Sequence, residues 1–66
     1  MYSDDVREQL LEAARNRDSY ELRRLAREDR YEVGHVMRHE GRVELSPGER
    51  EYAAEVFREA GVDLGW

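Results

Sequence analysis

The sequence predicts a mostly α-helical fold, a small bundle of three to four short helices with short extended segments near residues 42–45 and 62–66. Four times along the chain, a capping residue is followed three positions later by glutamate, which is typical of helix N-termini. Apolar residues then recur at helical spacing. With 66 residues, the chain has room for a single domain, residues 1–66, with a small core. The helices are predicted near residues 4–16, 19–28, 30–40 and 47–60.

The first and last helices have the clearest signals. Asp5 is expected to cap the first helix, with Ser3 as an alternative. Ser46 is expected to cap the last helix, because Pro47 follows at the first helical position. Gly61 is expected to end this helix. The apolar stripes are Val6, Leu10, Ala13 and Ala14 in the first helix and Tyr52, Ala53, Val56, Phe57 and Ala60 in the last.

Residues 19–40 are predicted as two short helices, and one kinked helix is the alternative. Asp18 and Asp29 each precede a glutamate by three positions, so each is expected to cap a helix. Gly41 is the expected stop of the second helix. The apolar positions are Leu22, Leu25, Ala26, Val33, Val36 and Met37.

The two extended segments are predicted from alternation of polar and apolar residues. In residues 42–45, Val43 and Leu45 would share one face, and in residues 62–66 the apolar positions also alternate. Pairing as a small parallel sheet is one interpretation. Because two short strands are marginally stable alone, we favour arms that dock on the helices.

The composition is acidic and free of lysine and cysteine. Charged residues make up 41% of the chain, the formal net charge is −5, and all eleven basic residues are arginine. Codon usage in a GC-rich genome is one interpretation of this pattern, and adaptation to high salt is the alternative. Without cysteine there are no disulfides and no thiolate zinc site. No apolar run approaches a membrane span and the N-terminus is acidic, so we expect a cytoplasmic protein without membrane contact.

Two histidines one helical turn apart raise the question of a metal site. Glu32, His35 and His39 fall within about one quadrant of a helix, so they could face one ion. However, this quadrant points away from the apolar stripe, and Arg38 and Arg42 on the same side would repel a cation. We therefore favour a solvated helix face, with metal binding and a protonation switch as alternatives.

The arginines of residues 19–42 form a relatively positive zone between acidic ends. They suggest a phosphate-contacting surface on two consecutive short helices. The net charge of −5 opposes this interpretation, because DNA affinity depends largely on neutralising phosphates. The alternative is pairing with nearby acids one helical turn away, such as Arg24 with Glu28. The candidate residues are Arg23, Arg24, Arg27, Arg30, Arg38 and Arg42.

No set of residues resembles an assembled catalytic site, and no cofactor is implied. We therefore expect a non-enzymatic small interaction or regulatory protein that acts through protein–protein contacts in the cytoplasm. A nucleic-acid-binding regulator that uses the arginine-rich middle helices is the alternative.

A homodimer is also expected, because the chain has more apolar surface than 66 residues readily cover. Extra area buried between two chains would offset the conformational entropy lost on folding. The monomer with its tail folded over its own helices is the alternative. The residues assigned to self-association are Leu11, Val62, Leu64 and Trp66.

Overall fold

The computed structural model describes residues 4–65, with the side chains from residue 5 onward, and 79% of the described residues are helical. No strand occurs among them. The helices are α1 (Asp4–Arg15), α2 (Ser19–Glu28), α3 (Arg30–His39), α4 (Gly41–Glu44) and α5 (Pro47–Glu59). The predicted mostly α fold class is therefore confirmed. Ser3 and Trp66 lie outside the described residues.

Two of the predicted caps form as expected, whereas Asp5, the residue expected to cap the first helix, lies inside α1 and does not precede it. The Ser46 hydroxyl accepts a hydrogen bond from the Glu49 backbone N–H at 3.4 Å, and the Glu49 carboxylate accepts one from the Ser46 N–H at 3.1 Å. The Asp18 carboxylate accepts from the Glu21 N–H at 3.1 Å. These contacts satisfy backbone donors that have no partner within the helix.

Asp29 separates α2 from α3, so residues 19–40 are two helices rather than one. Its backbone N–H donates to the Leu25 carbonyl at 2.7 Å, and its carbonyl accepts from the Val33 N–H at 2.9 Å. Its side chain makes no capping hydrogen bond, unlike the predicted arrangement. The boundary was predicted correctly, but the main chain of Asp29 forms it.

Replacing Ser46 with alanine tests the cap of α5. Because the variant loses the hydroxyl acceptor, we expect a loss of about 0.5–2 kcal/mol in the free energy of unfolding. Ser19→Ala is the matched control, since Ser19 is the first residue of α2 and does not cap it. Chemical denaturation of both variants measures the difference. Equal losses would contradict the assigned cap.

The segment predicted to be extended at residues 42–45 is instead mostly helical, as α4. The Glu40 carbonyl accepts hydrogen bonds from the Val43 and Glu44 N–H groups at 3.0 and 2.8 Å. Val43 is 81% exposed and Leu45 is buried, so the two side chains do not share a face. Four alternating residues fit one helical turn as well as a strand, which is why the prediction was wrong.

Gly41 does not end α3 by adopting a left-handed conformation, because its φ is not positive. Gly41 is buried, and a Cβ there would lie 3.4 Å from the Met37 sulfur and 3.8 Å from Leu45 Cδ1. The glycine therefore permits close packing where α3 passes into α4. The expected stop at Gly61 is confirmed, since its φ is +85° and it follows the end of α5.

The core consists mainly of apolar side chains from α1, α2, α3 and α5, and it includes the predicted stripe residues except Tyr52 and Ala60, which are partly buried and pack against it. No polar or charged residue is buried among those described. Phe57 is the largest fully buried side chain. Residues 62–65 form an arm in neither helix nor strand, and Val62 and Leu64 complete the core. This agrees with the interpretation that the C-terminal segment docks on the helices.

Candidate functional site

The three candidate metal ligands do not form a metal-binding group. The rings of His35 and His39 lie side by side on α3, with centroids 4.4 Å apart. Within residues 5–65, the side chains include no group of three or more histidines and carboxylates placed to hold an ion. Glu32, the third candidate, therefore does not complete a site with the two imidazoles.

Arg24 is engaged by acids of its own helix. Its guanidinium donates to Glu21, to Glu28 at 2.9 Å and to the Gln9 side-chain oxygen at 3.0 Å. The hydrogen bond from Arg24 holds the pKa of the Glu21 carboxyl below its usual value. The predicted pairing with Glu28 is confirmed, and Arg24 is the least available of the six candidate arginines.

Arg23, Arg27 and Arg30 line one surface hollow together with Glu59 and Ala60. Arg23 and Arg27 are exposed and lie about one turn apart on α2. Neither makes a side-chain hydrogen bond or ion pair with the described part of the chain. The hollow therefore contains three guanidinium groups and the carboxylate of Glu59, and two of these guanidinium groups have no side-chain partner within residues 5–65.

A second hollow adjoins the first, because both include Arg30. Tyr31 stands in this second hollow with 81% of its surface exposed. Arg30 donates to the Gly61 carbonyl at 3.0 Å, and Arg38 donates to the Asp63 carbonyl at 3.1 Å. The second hollow is lined by Arg30, Tyr31, Arg38, Gly61, Asp63 and Gly65.

Together these two hollows form a surface that we call the arginine face, defined by Arg23, Arg27, Arg30, Tyr31 and Arg38. Four of the six predicted arginines are thus brought together. Arg42 lies elsewhere, at a hollow between α4 and α5 that also contains two arginines of α5. Arg24 is not part of the lining of either hollow of the face.

Two exposed aromatic residues were not among the predicted site residues. Tyr31 belongs to the arginine face, and Tyr20 is 75% exposed one turn before Arg23 and Arg24. Helical spacing was the available signal, because both tyrosines fall outside the apolar stripes of their helices. Their rings add apolar contact area beside the guanidinium groups.

Acidic side chains gather at a different hollow, between α1 and the start of α2. It contains Glu8, Glu12, Asp18 and Glu21, together with the amide side chains of Gln9 and Asn16. Positive and negative groups are therefore concentrated at separate places on a chain of net charge −5. An anionic partner is attracted to the arginine face and repelled by the acidic hollow.

The residues assigned to self-association lie inside the chain where they are described. Leu11 and Val62 are each 5% exposed and Leu64 is 3% exposed, all within the core. Trp66 lies outside the described residues. The homodimer remains a prediction, but these buried side chains do not offer it a surface in this arrangement.

None of the helices between residues 4 and 65 is long and apolar enough to cross a membrane. No protein-family model matches the chain, and no curated protein or solved structure is significantly similar to it.

Proposed function

We propose that this chain is a non-enzymatic interaction protein of the cytoplasm, which binds an acidic segment of a partner protein through the arginine face. One observation supports this most strongly. Arg23 and Arg27 have no side-chain partner in the described part of the chain and stand near Tyr31, whose ring is 81% exposed.

Unpaired arginines favour binding because no internal ion pair has to break first. A guanidinium group binds a carboxylate through two parallel hydrogen bonds, which gives both attraction and orientation. Tyrosine and arginine are also the residue types on which protein interfaces most often depend. The arginine face therefore offers charge complementarity and an aromatic anchor to an acidic segment.

A nucleic acid is the second candidate partner, because four of the six candidate arginines do lie on one face. Exposed tyrosines would stack on unpaired bases. The net charge of −5 and the acidic hollow weigh more heavily against this partner than against a short acidic segment, since a nucleic acid carries a phosphate charge at every nucleotide and extends beyond the arginine face. We therefore favour the acidic protein segment.

The proposal is tested by titrating the ¹⁵N-labelled protein with a glutamate-rich peptide and measuring the chemical-shift changes of its amide groups. We expect the largest shifts within residues 23–38. Arg23→Glu with Arg27→Glu should weaken binding by about tenfold or more, because two attractive contacts become repulsive. Arg42→Glu with Arg58→Glu is the matched control: it changes the net charge equally and should bind as the parent protein does.

The outcomes separate the alternatives. Equal weakening in both double variants would mean that only the net charge matters, and it would contradict the arginine face. Binding to single-stranded or duplex DNA that falls steeply with salt, without binding to the peptide, would establish the nucleic-acid alternative instead.

A further inference from the structure

His35 and His39 place two imidazole rings side by side on one face of α3. The ring centres lie 4.4 Å apart, and the ring planes are tilted by 41°. Residues four positions apart are neighbours on a helix surface, so the pair spans one helical turn. His39 is exposed and His35 is partly exposed. Two nitrogen-bearing rings therefore stand close together where an ion from solution can reach them.

The separation of the two rings fits a chelate with both imidazoles on one metal ion. An imidazole nitrogen binds a first-row metal at about 2.0 Å, which puts the ring centre about 3.1 Å from the ion. Two rings at neighbouring corners of a square then have centres about 4.5 Å apart, whereas tetrahedral corners would separate them by about 5 Å. The observed 4.4 Å matches the square arrangement better.

The helix holds this spacing before any ion binds. Val33, Val36 and Met37 are fully buried, so the opposite face of α3 is fixed in the core. The Glu40 N–H donates to the Val36 carbonyl at 2.8 Å, so helical hydrogen bonding continues past His39. Binding therefore has to order only two side chains, which keeps its entropic cost low.

The two arginines expected to repel a cation make contacts elsewhere. Arg38 donates to the Asp63 carbonyl at 3.1 Å, so its side chain is drawn toward the arm. Arg42 lines the hollow between α4 and α5. The whole chain carries a net charge of −5, which attracts cations over a longer range. The charge objection is therefore weaker in the folded chain than the sequence alone indicated.

We propose that His35 and His39 form a two-imidazole site for a divalent transition-metal ion, with Cu²⁺ preferred and water completing the coordination. Among the metals that imidazole binds, Cu²⁺ has the highest affinity and favours tetragonal geometry, which the ring separation fits. The site needs no third protein ligand, unlike the three-residue site that Glu32 does not complete. It goes beyond the proposed function and does not rest on it, because neither histidine belongs to the arginine face.

Titration of the ¹⁵N-labelled protein with Cu²⁺ at neutral pH locates the ion, because paramagnetic Cu²⁺ broadens the signals of nearby amides. We expect the signals of residues 34–40 to broaden first. The electron paramagnetic resonance spectrum should show coupling to two imidazole nitrogens. His35→Gln and His39→Gln should each weaken Cu²⁺ binding by about tenfold or more, because the remaining ring loses its chelating partner.

Glu32→Gln is the matched control, because it removes a carboxylate one turn before His35 and keeps both imidazoles. It should bind Cu²⁺ nearly as the parent protein does. Loss of affinity in only one of the two histidine variants would indicate a single-imidazole contact and would overturn the proposal. Broadening of the parent protein that begins at the acidic hollow, within residues 8–21, would also overturn it, and this outcome does not depend on any variant.

Discussion

Replacing Phe57 with alanine is expected to remove the cooperative unfolding transition of this protein. Phe57 is fully buried and is the largest side chain in the core. Truncating such a ring costs about 3–5 kcal/mol, because the lost contacts leave a cavity. A core of this size rarely provides more than about 3–5 kcal/mol in total. The loss is therefore comparable to the whole stability.

Thermal and urea unfolding followed by circular dichroism measure this effect. Tyr31→Ala is the matched control, because it removes a similar ring from a position that is 81% exposed. We expect the control to change stability by less than about 0.5 kcal/mol. A Phe57→Ala protein that melts cooperatively near the parent temperature would show that Phe57 does not organise the core.

Gly34→Leu is expected to have the second largest effect, by expelling the arm. The new side chain would occupy the space of the Asp63 carbonyl and Val62. Exposing Val62 and Leu64 costs about 1.5–3 kcal/mol for each side chain. Removing a helical glycine returns about 1 kcal/mol. We therefore expect a net loss of about 2–5 kcal/mol in the free energy of unfolding.

Gly48→Leu is the matched control for this variant. Gly48 is also a helical glycine, but a Cβ there meets only the end of the flexible Arg17 side chain, at 3.3 Å. Its stability should therefore stay at or slightly above that of the parent. Urea denaturation of both variants compares them, and equal losses would show that the arm is not the cause.

Most of the fold was predictable because local chemistry determines where these helices begin. Ser46 combines a hydroxyl, a glutamate three positions later and Pro47, and α5 begins where this combination predicts. Asp18 acts in the same way for α2. Helical spacing also identified the buried faces, since the stripe residues depend only on the period of the helix.

The turn at α4 was not predictable from its own residues. Val43 and Leu45 alternate with polar neighbours, and so short a pattern fits either a strand or one helical turn. The burial of Leu45 in the core formed with the other helices, which depends on tertiary structure, favours the helical turn here. Tertiary context also places Gly41 in the core rather than at a helix stop.

The candidate site was predictable only in part. The sequence places six arginines in one segment, and helical spacing predicted the ion pair between Arg24 and Glu28. It did not indicate that α5 and the arm would line the hollows beside Arg30. These neighbours are distant along the chain, so the unpaired state of Arg23 and Arg27 becomes visible only in the folded structure.

The arm contact also affects how the sequence can change during evolution. Arg30 and Arg38 bind main-chain oxygens, which every amino acid carries, so these hydrogen bonds do not select the side chain of residue 63. Selection on the arm acts mainly on the buried apolar residues 62 and 64, and to a lesser extent on Asp63, whose carboxylate accepts a hydrogen bond from the Gly65 N–H at 3.0 Å. Related chains should therefore keep apolar residues at positions 62 and 64, while a change at residue 63 would leave both arginine contacts in place and cost only the hydrogen bond from the Gly65 N–H.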